Sequence, residues 1–141
     1  MTLEEKVGQM TNLSLMALAK GEFWDKRDTV ILDTAKMRLY LDKHKVGSIQ
    51  NLGTYPFPPK EWRQNIELIQ EYVSNNTEHA IPVLYGIDAV HGANYSAGST
   101  LFPHQIGLAA SRNKELAAEI ARATSYEMRA SGIPWNYAPV L

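Results

Sequence analysis

The chain has 141 residues, a formal net charge of -1 and 45% hydrophobic content, which suit one globular domain of ordinary size. The basic residues do not cluster and the aromatics are not interleaved with them, so nothing here favours nucleic acid or an anionic membrane as partner. Without cysteine there is no disulfide framework, thiolate metal site or cysteine nucleophile, and no apolar run approaches the ~18 residues of a spanning helix.

Thr2 with Glu5 is a capping-box pattern, and Leu3, Val7 and Met10 follow on one helical face. The pattern predicts a short helix from Thr2 to about Met10. This opening has no basic n-region and no apolar h-region, so it is not a signal peptide. Asn12 to Asp33 is irregular and reads as loop or broken helix. Asp33 is placed to cap a second helix, with Met37, Tyr40 and Leu41 on its buried side. Val46–Asn51 is a strand candidate. Leu52–Pro59 holds three prolines and reads as a loop. From Lys60 to about Asn75, Trp62, Ile66, Ile69 and Val73 form one apolar stripe, which predicts a helix with Trp62 in the core.

Ile81–Ile87 is the second strand candidate, with Pro82 near its start. His91–Pro103 is a loop of small residues. Asn113 caps an expected helix to about Ala130, with Leu116, Ile120 and Ala123 as the inner face and Gly132 just past its end. Trp135–Leu141 is the third strand. Strand and helix alternate, which argues for an α/β fold with a parallel sheet. The final strand has no crossover helix to cover it. The expectation is an opening portion of a longer domain.

Asp88 is the residue of greatest chemical interest. It directly follows the apolar run Val83–Ile87, and in parallel α/β proteins the C-terminal strand end is where chemistry sits. A carboxylate there can accept hydrogen bonds from the hydroxyls of a polar substrate, most naturally a sugar. It can equally cap the turn that follows. Position alone leaves both readings open. His91 reads as a packed ring bonded to loop backbone rather than an acid, a base or a metal ligand, and His104 reads as structural. Asp88, His91 and His104 lack the helical His-x3-His spacing of zinc hydrolases. Gly86, Gly92 and Gly98 form no dinucleotide or phosphate motif and read as backbone-permissive loop positions. No G-x-S-x-G elbow is present. Tyr55 and Trp135 are candidates for stacking on a sugar ring.

Several motifs, in order, resemble glycoside hydrolase family 3, in its β-glucosidase and exo-β-glucanase branch. They are Met1–Met10, Val46–Ile49, Tyr85–Gly92, Ser99–Arg112 and Gly132–Val140, and together they span nearly the whole chain. The resemblance implies a TIM (β/α)8 barrel, which needs about 250 residues. Residues 1–141 would then be a partial N-terminal barrel domain of about three βα units, not closed within the chain. It also implies hydrolysis of terminal non-reducing β-D-glucosyl residues by a retaining two-carboxylate mechanism on a β-glucoside or β-glucan oligosaccharide. Asp88 matches the family's aspartate that binds sugar hydroxyls. No residue of this chain matches its catalytic nucleophile or acid/base, which the resemblance places in the remainder of the barrel and a second domain. No metal or organic cofactor is implied. The hexosaminidase branch carries a different motif at the Asp88 position. A periplasmic or secreted setting is plausible from the family, and the compartment is otherwise open. The alternative from another class is a small self-contained α/β ligand-binding module of flavodoxin-like type without catalysis.

Overall fold

A computed structural model describes residues 1–23, 25, 29–51 and 55–140. Helix α1 spans Leu3–Gln9, and the expected capping box is present: Glu5 N–H donates to Thr2 Oγ1, and Thr2 N–H donates to the Glu5 carboxylate at 2.7 Å. Strand β1, Asn12–Ser14, follows immediately. It lies inside the stretch read as irregular, and three residues are too few to show alternation. A 3-10 turn then buries Leu15 and Met16. Asp33 caps α2, Thr34–Met37, as expected, and the helix widens into a π-helical turn, Arg38–Lys43. Met37 and Leu41 are buried and Tyr40 packs against the same core.

Strand β2 is Ser48–Gln50, helix α3 is Pro59–Asn76 and strand β3 is Leu84–Ile87. Residues 52–54 of the proline-rich loop lie outside the described residues. Ile81 and Pro82 fall before β3, because Gln70 takes both backbone groups of Val83 and the ladder starts at Leu84. Helix α4, Gln105–Ala110, is an addition to the elements expected. Helix α5 is Lys114–Ala130, capped by Asn113 as expected, with Gly132 beyond it at φ +78°. Strand β4 is only Trp135–Asn136, although Tyr137 N–H still donates to Ile87 O. Leu141 lies outside the described residues.

The four strands pair in parallel in the order β1-β2-β3-β4. Consecutive neighbours throughout are the order of a barrel wall. A flavodoxin-like sheet reverses direction at a switch point, and no reversal occurs here. Among the described residues β1 and β4 do not pair with each other, so the sheet is open. The register puts Leu13, Ile49 and Tyr85 in one row on the helix-covered face, and the core lies there. Trp62 meets Tyr85 edge-on at 5.6 Å and Phe57 at 5.6 Å, and Ile66, Ile69 and Val73 are buried as the apolar stripe requires. Ser14, Gln50, Gly86 and Trp135 form a row on the opposite face.

Helix α5 departs from expectation. Leu116 is exposed, Ile120 and Ala123 are half-buried, and the buried residues are Thr124 and Met128 further along. A cleft of about 970 Å3 lies beside it, lined by residues that include Phe102, Ile106, Ala117, Ile120 and Ala138. Leu116 stands on the first turn of the helix and is 40% exposed. Among the described residues no helix is long and apolar enough to cross a membrane.

Candidate functional site

Parallel pairing brings the C-terminal ends of β2, β3 and β4 together, and with them Asn51, Asp88, Asn136 and Tyr137. Asn51 continues the ladder through its N–H to Gly86 O at 2.9 Å, then turns at φ +49°. Asn tolerates that left-handed conformation better than most residues. Its side chain then meets Asp88 twice. Asn51 Nδ2 donates to Asp88 Oδ2 at 2.7 Å, and Asp88 N–H donates to Asn51 Oδ1 at 3.0 Å. Behind it, the fully buried Tyr85 hydroxyl donates to Asn51 O at 2.6 Å.

The other flank is built the same way. Asn136 Oδ1 accepts from Ala89 N–H at 3.2 Å and from Ala138 N–H at 3.0 Å. This fixes the chain immediately after Asp88 against β4. Asn12 Nδ2 donates to Gln50 Oε1 at 2.9 Å and to Tyr137 Oη at 3.2 Å, tying β1 to β4 across the open face. Gly86 belongs to this packing. A Cβ there would lie 2.5 Å from Tyr137 Oη and 2.9 Å from Trp135 Cε3, so the glycine makes room for both rings. Gly86 is therefore a strand residue needed for space, not a loop position. Gly92 and Gly98 are loop positions with φ of +84°.

Asp88 is half-buried, and among the described residues its carboxylate bonds only Asn51. It makes no hydrogen bond to the backbone of its own following turn. One oxygen is therefore fixed, and among the described residues the other has no hydrogen-bond partner. The Tyr95 and Tyr137 phenols near it remain donors. Burial pushes the Tyr95 hydroxyl up, and the Asp88 charge adds to that. Burial also raises Tyr137, opposed by the Asn12 amide and reinforced by Asp88. Tyr85 is raised well above the ordinary range by burial, with Tyr137 adding to it. A carboxylate acceptor beside protonated hydroxyls is an arrangement suited to a polyol.

The other candidates are elsewhere or occupied. His91 Nδ1 faces Phe102 O at 3.3 Å and its ring meets His104 edge-on at 5.4 Å, as expected of a packed loop residue. His104 Nδ1 accepts from Ile106 N–H and caps α4. Trp135 is partly exposed and edge-on to Tyr137 at 4.6 Å, which puts one stacking candidate beside the site. Tyr55 is exposed on the loop before α3. The cleft beside α5 contains no carboxylate in its lining. Glu5, Glu78 and His79 gather within 4.8 Å of one another, but at the end of the sheet where β3 begins.

Residues 2–141 match the glycosyl hydrolase family 3 N terminal domain. The chain belongs to that family. It is 36% identical over 149 residues to a lysosomal beta glucosidase of Dictyostelium discoideum, with all of this chain and 17% of the relative covered. It is 28% identical over 141 residues to a periplasmic beta-glucosidase of Salmonella typhimurium, covering 100% of this chain and 15% of that protein. The chain thus spans about a sixth of these relatives. Among solved structures, an exo-1,3/1,4-beta-glucanase from Pseudoalteromonas superposes over 100% of this chain and 21% of its own, with 30% identity and a TM-score of 0.73. A beta-N-acetylhexosaminidase from Beutenbergia cavernae superposes over 99% of this chain and 38% of its own, with a TM-score of 0.71 and 21% identity, and so shares the fold.

Within family 3, this chain carries an open parallel portion of the TIM-barrel-like α/β fold. Asp88 is at the C-terminal strand ends, where barrel enzymes keep their sites. Three partners of the site escaped the sequence reading: Asn51, Asn136 and Tyr137. Asn51 carried one signal, an Asn at the end of a strand candidate.

Proposed function

We propose that the protein carrying this domain hydrolyses terminal non-reducing β-D-glucosyl residues with retention, and that Asp88 holds sugar hydroxyls in the terminal subsite. Residues 1–141 are, on this reading, a partial barrel domain. The observation that carries the proposal is the half-buried Asp88 carboxylate at the end of β3, anchored to Asn51 through one oxygen and with no second hydrogen bond among the described residues. The two relatives named as beta-glucosidases and the structure named as a beta-glucanase support the substrate class.

Retaining hydrolysis uses two carboxylates about 5–5.5 Å apart, one attacking the anomeric carbon and one protonating the leaving oxygen. Asp88 is the carboxylate at the C-terminal end of β3, beside Asn51 and Tyr137. Its part is recognition, and the catalytic pair is assigned to residues outside this chain. The substrate is a β-glucoside or β-glucan oligosaccharide.

The test is Asp88→Ala in the full enzyme. A charge-assisted hydrogen bond is worth about 1.5–3 kcal/mol, and two that tighten in the transition state give a fall of about two to four orders of magnitude in kcat/KM. Asp88→Asn keeps the shape and one acceptor and loses less. The melting temperature changes little in both. A near-wild-type rate with a large loss of melting temperature would make Asp88 a structural residue and end the proposal.

A further inference from the structure

We infer that Asn51 is a positioning residue that aims the Asp88 carboxylate at the substrate. The inference rests on the reading of Asp88 as the sugar-binding group. Asn51 and Asp88 are 37 residues apart in sequence and meet only because β2 and β3 are neighbours. Their contact is reciprocal: the amide nitrogen holds Oδ2 at 2.7 Å while the amide oxygen holds the Asp88 N–H at 3.0 Å. Two bonds from one rigid amide fix both the backbone and the carboxylate of Asp88, which a single bond cannot do.

Asn51 is itself held. Its N–H is tied to Gly86 O at 2.9 Å and its carbonyl accepts the Tyr85 hydroxyl at 2.6 Å. Tyr85 is buried against Trp62, so the clamp is anchored in the core rather than in a loop. The φ of +49° directs the Asn51 side chain back toward β3 instead of along its own strand. A carboxylate with one oxygen fixed has lost the freedom to rotate away, and its second oxygen is presented in a set direction. This is preorganisation: the orientation is set before substrate arrives, so binding energy is not spent on it.

The experiment is a double-mutant cycle in the full enzyme, with kcat/KM on an aryl β-glucoside and a thermal melt for Asn51→Gly, Asn51→Asp, Asp88→Ala and Asn51→Gly with Asp88→Ala. Glycine adopts the left-handed backbone without strain. Aspartate keeps an acceptor for Asp88 N–H and loses the donor, which tests the amide nitrogen should the glycine variant fold poorly. Asn51→Gly is expected to lower kcat/KM about 10- to 100-fold, and Asn51→Asp at least as much. The double variant should be no worse than Asp88→Ala alone, to within about twofold. Multiplying effects in the double variant, or full activity in folded Asn51→Asp, would overturn the positioning role while leaving Asp88 in place. A wild-type rate in Asp88→Ala would instead remove the site reading itself, and this inference with it.

Discussion

Where the strands begin, backbone meets backbone at two glycines; where they end, side chains carry the contacts around Asp88. At the first end, Gly47 N–H donates to Gly8 O at 3.1 Å, Leu84 N–H donates to Gly47 O at 3.0 Å, and Gln9 Nε2 reaches Lys45 O at 2.7 Å. A Cβ on Gly8 would overlap His44 O, and a Cβ on Gly47 would overlap Gln9 O. Helix α1 therefore lies against the turn before β2 with backbone directly on backbone at Gly8 and Gly47. At the second end the connections are amides, a carboxylate and a phenol: Asn51 to Asp88, Asn136 to Ala89, Asn12 to Tyr137. Backbone seams are rigid and chemically inert. Side-chain networks cost ordering entropy but leave groups that a ligand can meet. On the function proposed above, the first end serves stability and the second recognition.

The comparison is broken most severely at Gly8. Inside a helix, Gly→Ala normally adds stability, by about 1 kcal/mol. Here the new methyl meets the His44 carbonyl, with Lys45 O also 3.0 Å away, and neither is the end of a flexible side chain. Overpacking of this kind costs about 1–3 kcal/mol and more where backbone must move. Gly8→Ala is thus expected to lower the melting temperature strongly, with kcat/KM per folded molecule unchanged. A raised melting temperature would show that the seam yields and that helix propensity decides.

Gly86→Ala probes the other end and should cost less. Its methyl would meet Tyr137 Oη at 2.5 Å and Cζ at 2.7 Å, which belong to the far end of a side chain. Tyr137 can swing aside and lose its bond from Asn12. The stability loss is expected at the lower end of about 1–3 kcal/mol. The activity loss should exceed it, because Tyr137 leaves the surroundings of Asp88. Paired melts and kcat/KM values check this, and a fall in stability with unaltered kcat/KM would detach Tyr137 from the site.

These two glycines also show what a sequence can disclose. The apolar stripe Trp62–Ile66–Ile69–Val73 announces a helix and its buried side, because helix periodicity is local. The caps at Thr2, Asp33 and Asn113 are legible for the same reason. Asp88 stands out because a charge after an apolar strand is conspicuous. Asn51 does not, since an Asn after a strand reads as a turn former, and its clamp depends on a neighbour 37 residues away. The glycine seams are equally non-local: nothing near Gly8 in sequence states that the 44–47 turn will cover it. Strand β1 is too short to alternate. Leu116 misleads because periodicity marks a face without telling how much of it will be covered.

The smallest expected effect belongs to the first end and depends on pH. Glu5 is held below the ordinary glutamate value chiefly by the Thr2 N–H that bonds its carboxylate. Slight burial opposes this, and His79, with Nε2 at 3.6 Å, adds to it. A depressed carboxylate contributes stability that is present above the unfolded value, about 4.3, and is lost as pH falls through the folded value. Acid should therefore loosen α1 and its seam before it disturbs the core. Glu5→Gln keeps an acceptor for Thr2 N–H but removes the charge. Its stability should be slightly lower than wild type near pH 7, and the gap should narrow as pH falls below the unfolded value. The contact is solvent-exposed, so the shift in melting temperature is small and shrinks further in salt. Melts of both proteins from pH 7 to pH 3 make the check. Parallel curves across that range would mean that the Glu5 charge contributes nothing and that the glycine seam alone holds this end.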